Sequence, residues 1–263
     1  MRRPLAATVA LTALLLLAGC TGGTPLGGSG SADGHAVSLA SVQYPAGVTN
    51  ESVDAKTVSQ GHEAALANRS LTFHLQLNQT VGGNSRSGII VEKTTGDGSP
   101  MWTRARMPGA SGIPVERVVY QRGDKRFERT TVNGNTSYRV TTRPPSFGIG
   151  APSPSGSRLV NQTLSIAQFT PTRAESVNGT TLVVLTASKS DVSDAVNGNV
   201  SRFDASMTID QEGVVHSFQY NVTMNQGGQR MSVSESARLT NIGSTTVPRP
   251  NWLDEANASS SSA

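Results

Sequence analysis

Cysteine is almost missing from this chain, because its 263 residues include only one, Cys20. A single thiol excludes an internal disulfide, so the fold must be held by packing and hydrogen bonds. Charged residues are also sparse, at 15%, and the formal net charge is only +4. Two of the positive charges belong to Arg2 and Arg3 at the N-terminus. Nucleic-acid binding normally requires a dense basic patch, and we therefore predict no nucleic-acid partner.

Long apolar stretches are missing as well, apart from one of about fourteen residues, Leu5 to Ala18. It is too short to span a bilayer core of about 30 Å as a helix. It follows Arg2 and Arg3 and ends in Leu17-Ala18-Gly19-Cys20, the pattern of a signal peptide with a lipobox. The alternatives are an ordinary signal peptide with an incidental cysteine and a short anchor helix.

We predict from this pattern that residues 1–19 are a signal peptide and that Cys20 carries a lipid. The lipid would tether the protein to the outer face of the cytoplasmic membrane, outside the cytoplasm. The arginine pair fits a twin-arginine signal loosely, so export by the Sec or the twin-arginine route stays open.

The composition changes after the cysteine and again at the C-terminus. Residues 20–37 are predicted to be the lipidated cysteine and a flexible linker, because residues 21–34 are mostly Gly, Ser and Thr. Residues 38–255 are predicted to form a single β-rich domain, and residues 256–263 a disordered tail. Nothing in the sequence indicates the oligomeric state.

Alternation of apolar and polar residues predicts mostly strands. Leu71–Val81 alternates cleanly, as a strand with one buried face does. Asn133-Gly134 and Asn178-Gly179 are typical of two-residue hairpin turns. Val53–Asn68 predicts a helix, and Leu159–Gln168 a second short one.

The clearest pattern lies in the C-terminal part, where apolar residues alternate through 203–209, 216–224 and 231–239. Turn residues separate these stretches, which predicts an antiparallel meander with one polar and one apolar face. The predicted fold class is mainly β (α+β). It is a curved antiparallel sheet or half-open barrel with one or two helices on its concave side.

This order of elements resembles a known group of lipoproteins. The lipobox at Leu17–Cys20, the helix Val53–Asn68 leading into the strand Leu71–Val81, and the C-terminal meander carry the resemblance. They are similar to half-open β-barrel lipoproteins related to the Lol-type lipoprotein carriers and to mycobacterial lipid-binding lipoproteins. The closing stretch Ile242–Trp252 most resembles lipoproteins of halophilic archaea, although this chain lacks their acidic composition. The resemblance implies a curved sheet that cradles a hydrophobic ligand.

The apolar strand faces supply candidates for the lining of such a groove. Met-rich linings suit adaptable binding of apolar ligands. The alternative is a core filled by the same side chains. The candidate groove residues are Phe73, Leu75, Phe203, Met207, Phe218, Tyr220, Met224 and Met231.

Nine Asn-X-Ser/Thr sequons occur in the chain, where its composition predicts roughly three to four by chance. The excess favours an exported and glycosylated surface of archaeal or eukaryotic type. The alternative is a composition that places Asn and Thr on solvent-exposed strand faces. The sequons lie at Asn50, Asn68, Asn78, Asn135, Asn161, Asn178, Asn199, Asn221 and Asn257.

No catalytic or metal-binding pattern is present. The four histidines are not spaced with other ligands for a metal, and by strand parity His216 is predicted to be a core histidine. Glu235 interrupts an apolar strand face, as either a single inward carboxylate or the mark of a sheet edge. Trp252 is predicted to pin the C-terminus against the sheet. We predict neither an enzyme nor a cofactor.

A basic stretch runs from residue 104 to 143, with nine arginines and lysines against three acids. It indicates either contact with anionic lipid headgroups or a solvated strand face. Together these features favour a membrane-anchored module whose cargo is a hydrophobic ligand, a lipid or a lipoprotein. The alternative is a structural or interaction protein of the cell envelope without a ligand cavity.

Overall fold

The structure is a computed structural model that describes residues 35–109, 112–142, 155–193 and 199–260. The predicted signal peptide, Cys20 and most of the linker lie outside the described residues. The strands are β1 His35–Val37, β2 Leu71–Val81, β3 Asn84–Thr94, β4 Met101–Pro108, β5 Pro114–Arg122, β6 Lys125–Val132, β7 Asn135–Thr142, β8 Thr170–Val177, β9 Thr180–Ser188, β10 Asn199–Asp210, β11 Val215–Gln226 and β12 Gln229–Thr240. The helices are α1 Ala55–Leu66, α2 Ser157–Leu164 and α3 Leu253–Ser260.

The twelve strands form one antiparallel sheet in the order β1-β8-β9-β10-β11-β12-β2-β3-β4-β5-β6-β7. The sheet is curved and open, so the predicted fold class is confirmed. Strand β2 has the predicted bounds, and its apolar and polar residues alternate from Leu71 to Asn78. Both predicted hairpin turns are present, and at Asn133 and Asn178 the backbone φ is 49° and 52°, as an Asn-Gly turn requires.

The main core lies on one face of the sheet, here called the first face, which bears Phe73 of β2 and Phe218 of β11. Side chains from strands β9–β12, β2 and β3 form the core on this face. Helix α1 covers it with Val58 and Leu66, and α2 with Val160 and Leu164 among others. An amphipathic helix buries its apolar stripe against such a sheet face, which explains why both helices dock here.

A second core lies on the opposite face of β4–β7, called the second face. Its sheet residues include Tyr120 and Phe127, which are cross-strand partners on β5 and β6. Helix α3 and the residue before it cover them with Trp252, Leu253 and Ala256. The sheet therefore buries its first face at one end and its second face at the other.

The predicted segment boundaries differ from those in the structure at both ends of the domain. Residues 35–37 were included in the linker, but they form β1 and pair with β8. Residues 256–263 were predicted to be disordered, but α3 extends to Ser260 and Ala256 is completely buried. The reason is tertiary: α3 has no strong apolar stripe of its own and is held by the second core.

Within the described ranges, no helix is both long enough and apolar enough to cross a bilayer.

Candidate functional site

The predicted groove residues are placed in the main core. Seven of the eight are buried, and Met231 is half-buried and packs against the same cluster. Phe203 and Tyr220 contact each other with ring centroids 5.6 Å apart. Phe73 lies under the start of α2, where a Cβ on Gly156 would come within 3.0 Å of its ring. A ligand could contact the seven buried residues only if the side chains that cover them moved.

An open pocket lies elsewhere, at the end of the sheet where β3 and β5 begin and β4 and β6 end. We call it the strand-end pocket, and its volume is about 610 Å³. That volume is within the range of about 300–1,000 Å³ typical of small-molecule sites. Its lining residues are Ser85, Arg86, Ser87, Gly88, Ile89, Arg106, Met107, Pro108, Pro114, Val115, Glu116, Thr131, Asn133 and Gly134.

The rim of this pocket is apolar. Among the described residues, four large hydrophobic side chains are exposed: Ile89 at 50%, Met107 at 46%, and Ile113 and Val132 at 38%. Ile89 and Met107 line the pocket, and the other two adjoin lining residues in the chain. Scattered exposed hydrophobics are ordinary, whereas a cluster at the mouth of a pocket makes it a candidate binding surface.

A glycine shapes the wall of the pocket. Met107 lies across Gly88, where a Cβ would meet its Cγ at 3.0 Å. A larger residue at this position would displace the Met107 side chain. The bare backbone of Gly88 thus leaves room for a flexible thioether side chain that can adapt to a ligand.

The charged wall of the pocket is built around one carboxylate. Glu116 Oε2 accepts hydrogen bonds from Arg104 at 2.6 Å and from Arg106 at 2.6 Å, and Oε1 accepts one from Arg129 at 3.2 Å. Burial raises the pKa of Glu116, but the hydrogen bonds and charges of Arg106 and Arg104 outweigh it and hold that pKa below its ordinary value. Arg129 also lies over the Trp252 ring at 5.7 Å. The predicted basic stretch is therefore divided between two faces, since Arg117 pairs with Glu128 on the first face.

Two further carboxyl groups are buried away from the pocket. Glu235 points inward from the central strand β12, fully buried, and neither oxygen has a hydrogen-bond partner among the described residues. Burial raises its pKa to about 9, so it is neutral at physiological pH. Glu92 is 2% exposed, and burial raises its pKa to about 7 against a hydrogen bond from Thr103. Of the two alternatives for Glu235, the inward carboxylate is correct.

The prediction for His216 is wrong, because a register shift in β11 separates the pairs of Ser217 and Val215 and turns His216 out of the core. Its Nε2 instead lies 2.7 Å from Asp210 Oδ2. The core histidine is His62 of α1, whose Nδ1 accepts the Val215 N–H and whose Nε2 donates to the Ser155 carbonyl oxygen. Burial lowers the pKa of His62 and keeps it neutral.

Metal ligation finds no support in the part of the chain that the structure describes, where no group of three or more His, Cys, Asp or Glu residues could hold an ion. The absence of a cofactor stays a prediction.

The sequons fall mostly on the surface. Asn78 and Asn221 lie in one cross-strand row with Ser234 on the second face of the sheet, opposite the main core. The side chains at positions 50, 68, 135, 161, 178 and 257 are exposed, and the side chain of Asn199 is outside the described part. Glycosylation of these residues stays a prediction.

Comparison with known proteins places the chain in a family. The model described as "Family of unknown function (DUF7537)" matches residues 5–256. The chain belongs to the DUF7537 family. No curated protein matches this DUF7537 chain.

Solved structures give weaker similarities to the DUF7537 chain. One is MucB in complex with the periplasmic part of MucA, with 17% identity, a TM-score of 0.26, and coverage of 76% of this chain and 59% of that one. The chain thus spans less than two thirds of that MucB. A Pseudomonas aeruginosa MucA/MucB complex has 15% identity, a TM-score of 0.25 and coverage of 76% and 60%.

A DUF1329 family protein from Desulfovibrio piger has 13% identity and a TM-score of 0.26, and the match covers 76% of this chain and 98% of that one. TM-scores this low carry no argument about the DUF7537 chain.

Proposed function

We propose that the protein is an extracytoplasmic lipoprotein, anchored through Cys20, that binds an apolar or amphiphilic ligand in the strand-end pocket without catalysis. The observation that carries the proposal is the exposed apolar rim around an open pocket of about 610 Å³. Removing such side chains from water contributes about 25 cal/mol per Å², so an apolar ligand chain would be held without specific chemistry. The relation to Lol-type carriers stays a prediction.

A photoaffinity experiment tests the pocket. The full-length chain is irradiated with a neutral fatty alcohol that carries a diazirine, and the labelled peptides are identified by mass spectrometry. We expect label on the peptides that contain Ile89 and Met107. Met107→Ser should reduce it, while Met101→Ser, a buried position on the same strand outside the pocket, serves as the matched control. Label restricted to the main-core strands or to residues 1–34 would overturn the proposal.

The anchor has its own test, in cells that process lipoproteins. Cys20→Ser removes the thiol that takes the lipid, and we expect the protein to move from the membrane fraction to the soluble extracytoplasmic fraction. Unchanged membrane association of this variant would contradict lipid anchoring, whatever the pocket binds.

A structural or interaction protein of the cell envelope is the second candidate. It is favoured by the packing of the predicted groove residues, which leaves no open groove at those positions. Under this candidate the apolar rim would contact a protein. The same photoaffinity experiment separates the two, because labelling of a ligand pocket saturates and is displaced by excess unlabelled alcohol, whereas labelling of an apolar docking surface does not saturate.

A further inference from the structure

The strand-end pocket has an unbalanced charge. Three guanidinium groups, from Arg104, Arg106 and Arg129, converge on the single carboxylate of Glu116. One carboxylate neutralises one of them, and two positive charges are left on this side of the pocket. Arg86, also exposed, lines the same pocket from the first face and adds a further positive charge to it. Like charges this close disfavour one another, and a further anion would relieve the repulsion.

Arg106 is the member of this group that a ligand can reach. Its side chain is 61% exposed, against 39% for Arg104 and 30% for Arg129. Its Nε–H donates to Glu116 Oε2 at 2.6 Å, which fixes the plane of the guanidinium group. Within the described residues its two terminal amino groups make no hydrogen bond. They are the fork that binds carboxylate and phosphate oxygens in pairs.

The positions of the charges and of the apolar rim complement each other. Arg106 lies on β4 directly before Met107, so the two side chains point to opposite faces at one edge of the same pocket. Arg106 also pairs in register with Ile89, the most exposed of the rim residues. A molecule whose apolar chain contacts Ile89 would therefore bring its polar end beside the guanidinium group on the same face.

We propose that the ligand of the strand-end pocket is an anionic amphiphile whose phosphate or carboxylate group is bound by Arg106. The inference rests on the proposed function, because it names the class of ligand for the same pocket. Arg104 and Arg129 act as positioning residues that hold Glu116, which in turn orients Arg106. The apolar chain occupies the rim formed by Ile89 and Met107.

The test is a competition experiment on the full-length chain. Dodecyl phosphate, dodecanoate and dodecanol, which share one chain length, each compete with the neutral diazirine alcohol for labelling of the Met107 peptide. One charge-assisted hydrogen-bonded pair corresponds to about a tenfold gain in affinity, so the two anions should compete at about tenfold lower concentration than dodecanol. The ratio between the two anions distinguishes a phosphate headgroup from a carboxylate.

Two substitutions sharpen the test. Arg106→Gln should bring the two anions close to the value for dodecanol and leave dodecanol itself unchanged. Arg117→Gln is the matched control, because Arg117 makes an equally short bridge to Glu128 on the other face and does not line the pocket. It should preserve the preference for anions. Thermal denaturation of both variants checks that they fold.

The outcomes separate the two proposals. Equal competition by all three compounds, with labelling of the Met107 peptide intact, overturns the anionic ligand and leaves the apolar pocket standing. A preference for anions that survives Arg106→Gln also overturns the role of Arg106. Failure to label the pocket at all overturns the proposed function, and this inference falls with it.

Discussion

The two cores of this protein use opposite faces of one sheet. The main core draws on strands β9–β12, β2 and β3 and is covered by helices α1 and α2. The second core draws on β4–β7, and among the described residues it is covered by α3 together with Trp252 and Val247. On β5 the change of face is visible within three residues, because Val118, Val119 and Tyr120 are all buried although they alternate between faces.

The comparison explains where the pocket lies. Strands β3 and β4 form the seam between the two cores, where the helices of the first face and the helix of the second face both leave strand ends uncovered. Ile89 on the second face and Met107 on the first face are exposed there. A pocket at such a seam can be open without weakening either core.

The largest predicted loss of stability comes from a substitution in the main core. Phe73→Ala removes a ring that is 1% exposed and packs beneath α2. We expect a loss of about 3–5 kcal/mol in the free energy of unfolding, measured by urea denaturation and circular dichroism. Gln76→Ala, on the exposed opposite face of the same strand, is the control and should change it little. A loss below that of the control would mean that the main core does not determine stability.

The second core should respond more locally. Trp252→Ala removes the stacking on Tyr138 and the contact with Arg129, which hold α3 to the sheet. We expect a loss of roughly 2–3 kcal/mol, less than for a ring inside the main core, because a terminal helix can detach while the rest stays folded. Hydrogen exchange should become faster in β6 and β7 and stay unchanged in β10 and β11.

Asp254→Ala is the control for this change, since its side chain is 88% exposed and lies 3.7 Å from Arg249 in a surface pair. If hydrogen exchange in the Trp252→Ala variant became equally fast in β6–β7 and in β10–β11, the two cores would unfold as one unit.

The sequence predicted the main core better than the second. Strand β2 and the C-terminal meander have long, regular alternation, so their faces follow from parity alone. Parity failed at His216, because a bulge in β11 moves the register by one residue and no local pattern signals it. His62, the true core histidine, lies on a helix whose apolar pattern is weak, so its burial depends on the packing of α1.

The second core and the pocket could not be predicted, because both depend on which element covers which face. Helix α3 consists largely of Ala, Asn and Ser, and only docking of Trp252 and Leu253 makes it a cover. The sequence assigns Arg106 to the basic stretch and Asn133-Gly134 to a hairpin turn, but no local pattern indicates that they line one pocket. The pocket is formed by strand ends that are distant in the sequence, the first near Arg86 and the last near Gly134.

The main core contains a buried carboxyl group, that of Glu235, which makes the free energy of unfolding depend on pH. The unfolded chain releases the Glu235 proton near pH 4.5, whereas burial raises the pKa of Glu235 in the folded chain to about 9. The stability associated with this proton is complete below pH 4.5 and is lost as pH rises towards about 9. Glu235→Leu should therefore stabilise the protein by about 1–3 kcal/mol at pH 8, and by less at pH 5.

Thermal and urea denaturation over this pH range check the prediction. Glu235→Gln is the matched control: it cannot ionise, so it should remove the same pH dependence and gain less stability, since a buried polar group remains. If Glu235→Leu destabilised the protein at pH 8, the carboxyl group would have a partner that the packing around it does not indicate.

The smallest effect tests whether the two regions unfold together. Gly134 ends the turn between β6 and β7, and Gly179 ends the one between β8 and β9; both have φ 79° and open space around the Cα. An alanine at either position has the same backbone strain, about 1 kcal/mol, and no new contact. If the sheet unfolds as one unit, Gly134→Ala and Gly179→Ala must lower the midpoint of the main transition equally. If the second core unfolds first, only Gly179→Ala lowers the midpoint of the main transition. Gly134→Ala then accelerates hydrogen exchange in β6 and β7 instead, because the strain of this alanine destabilises a region that has already unfolded before the main core.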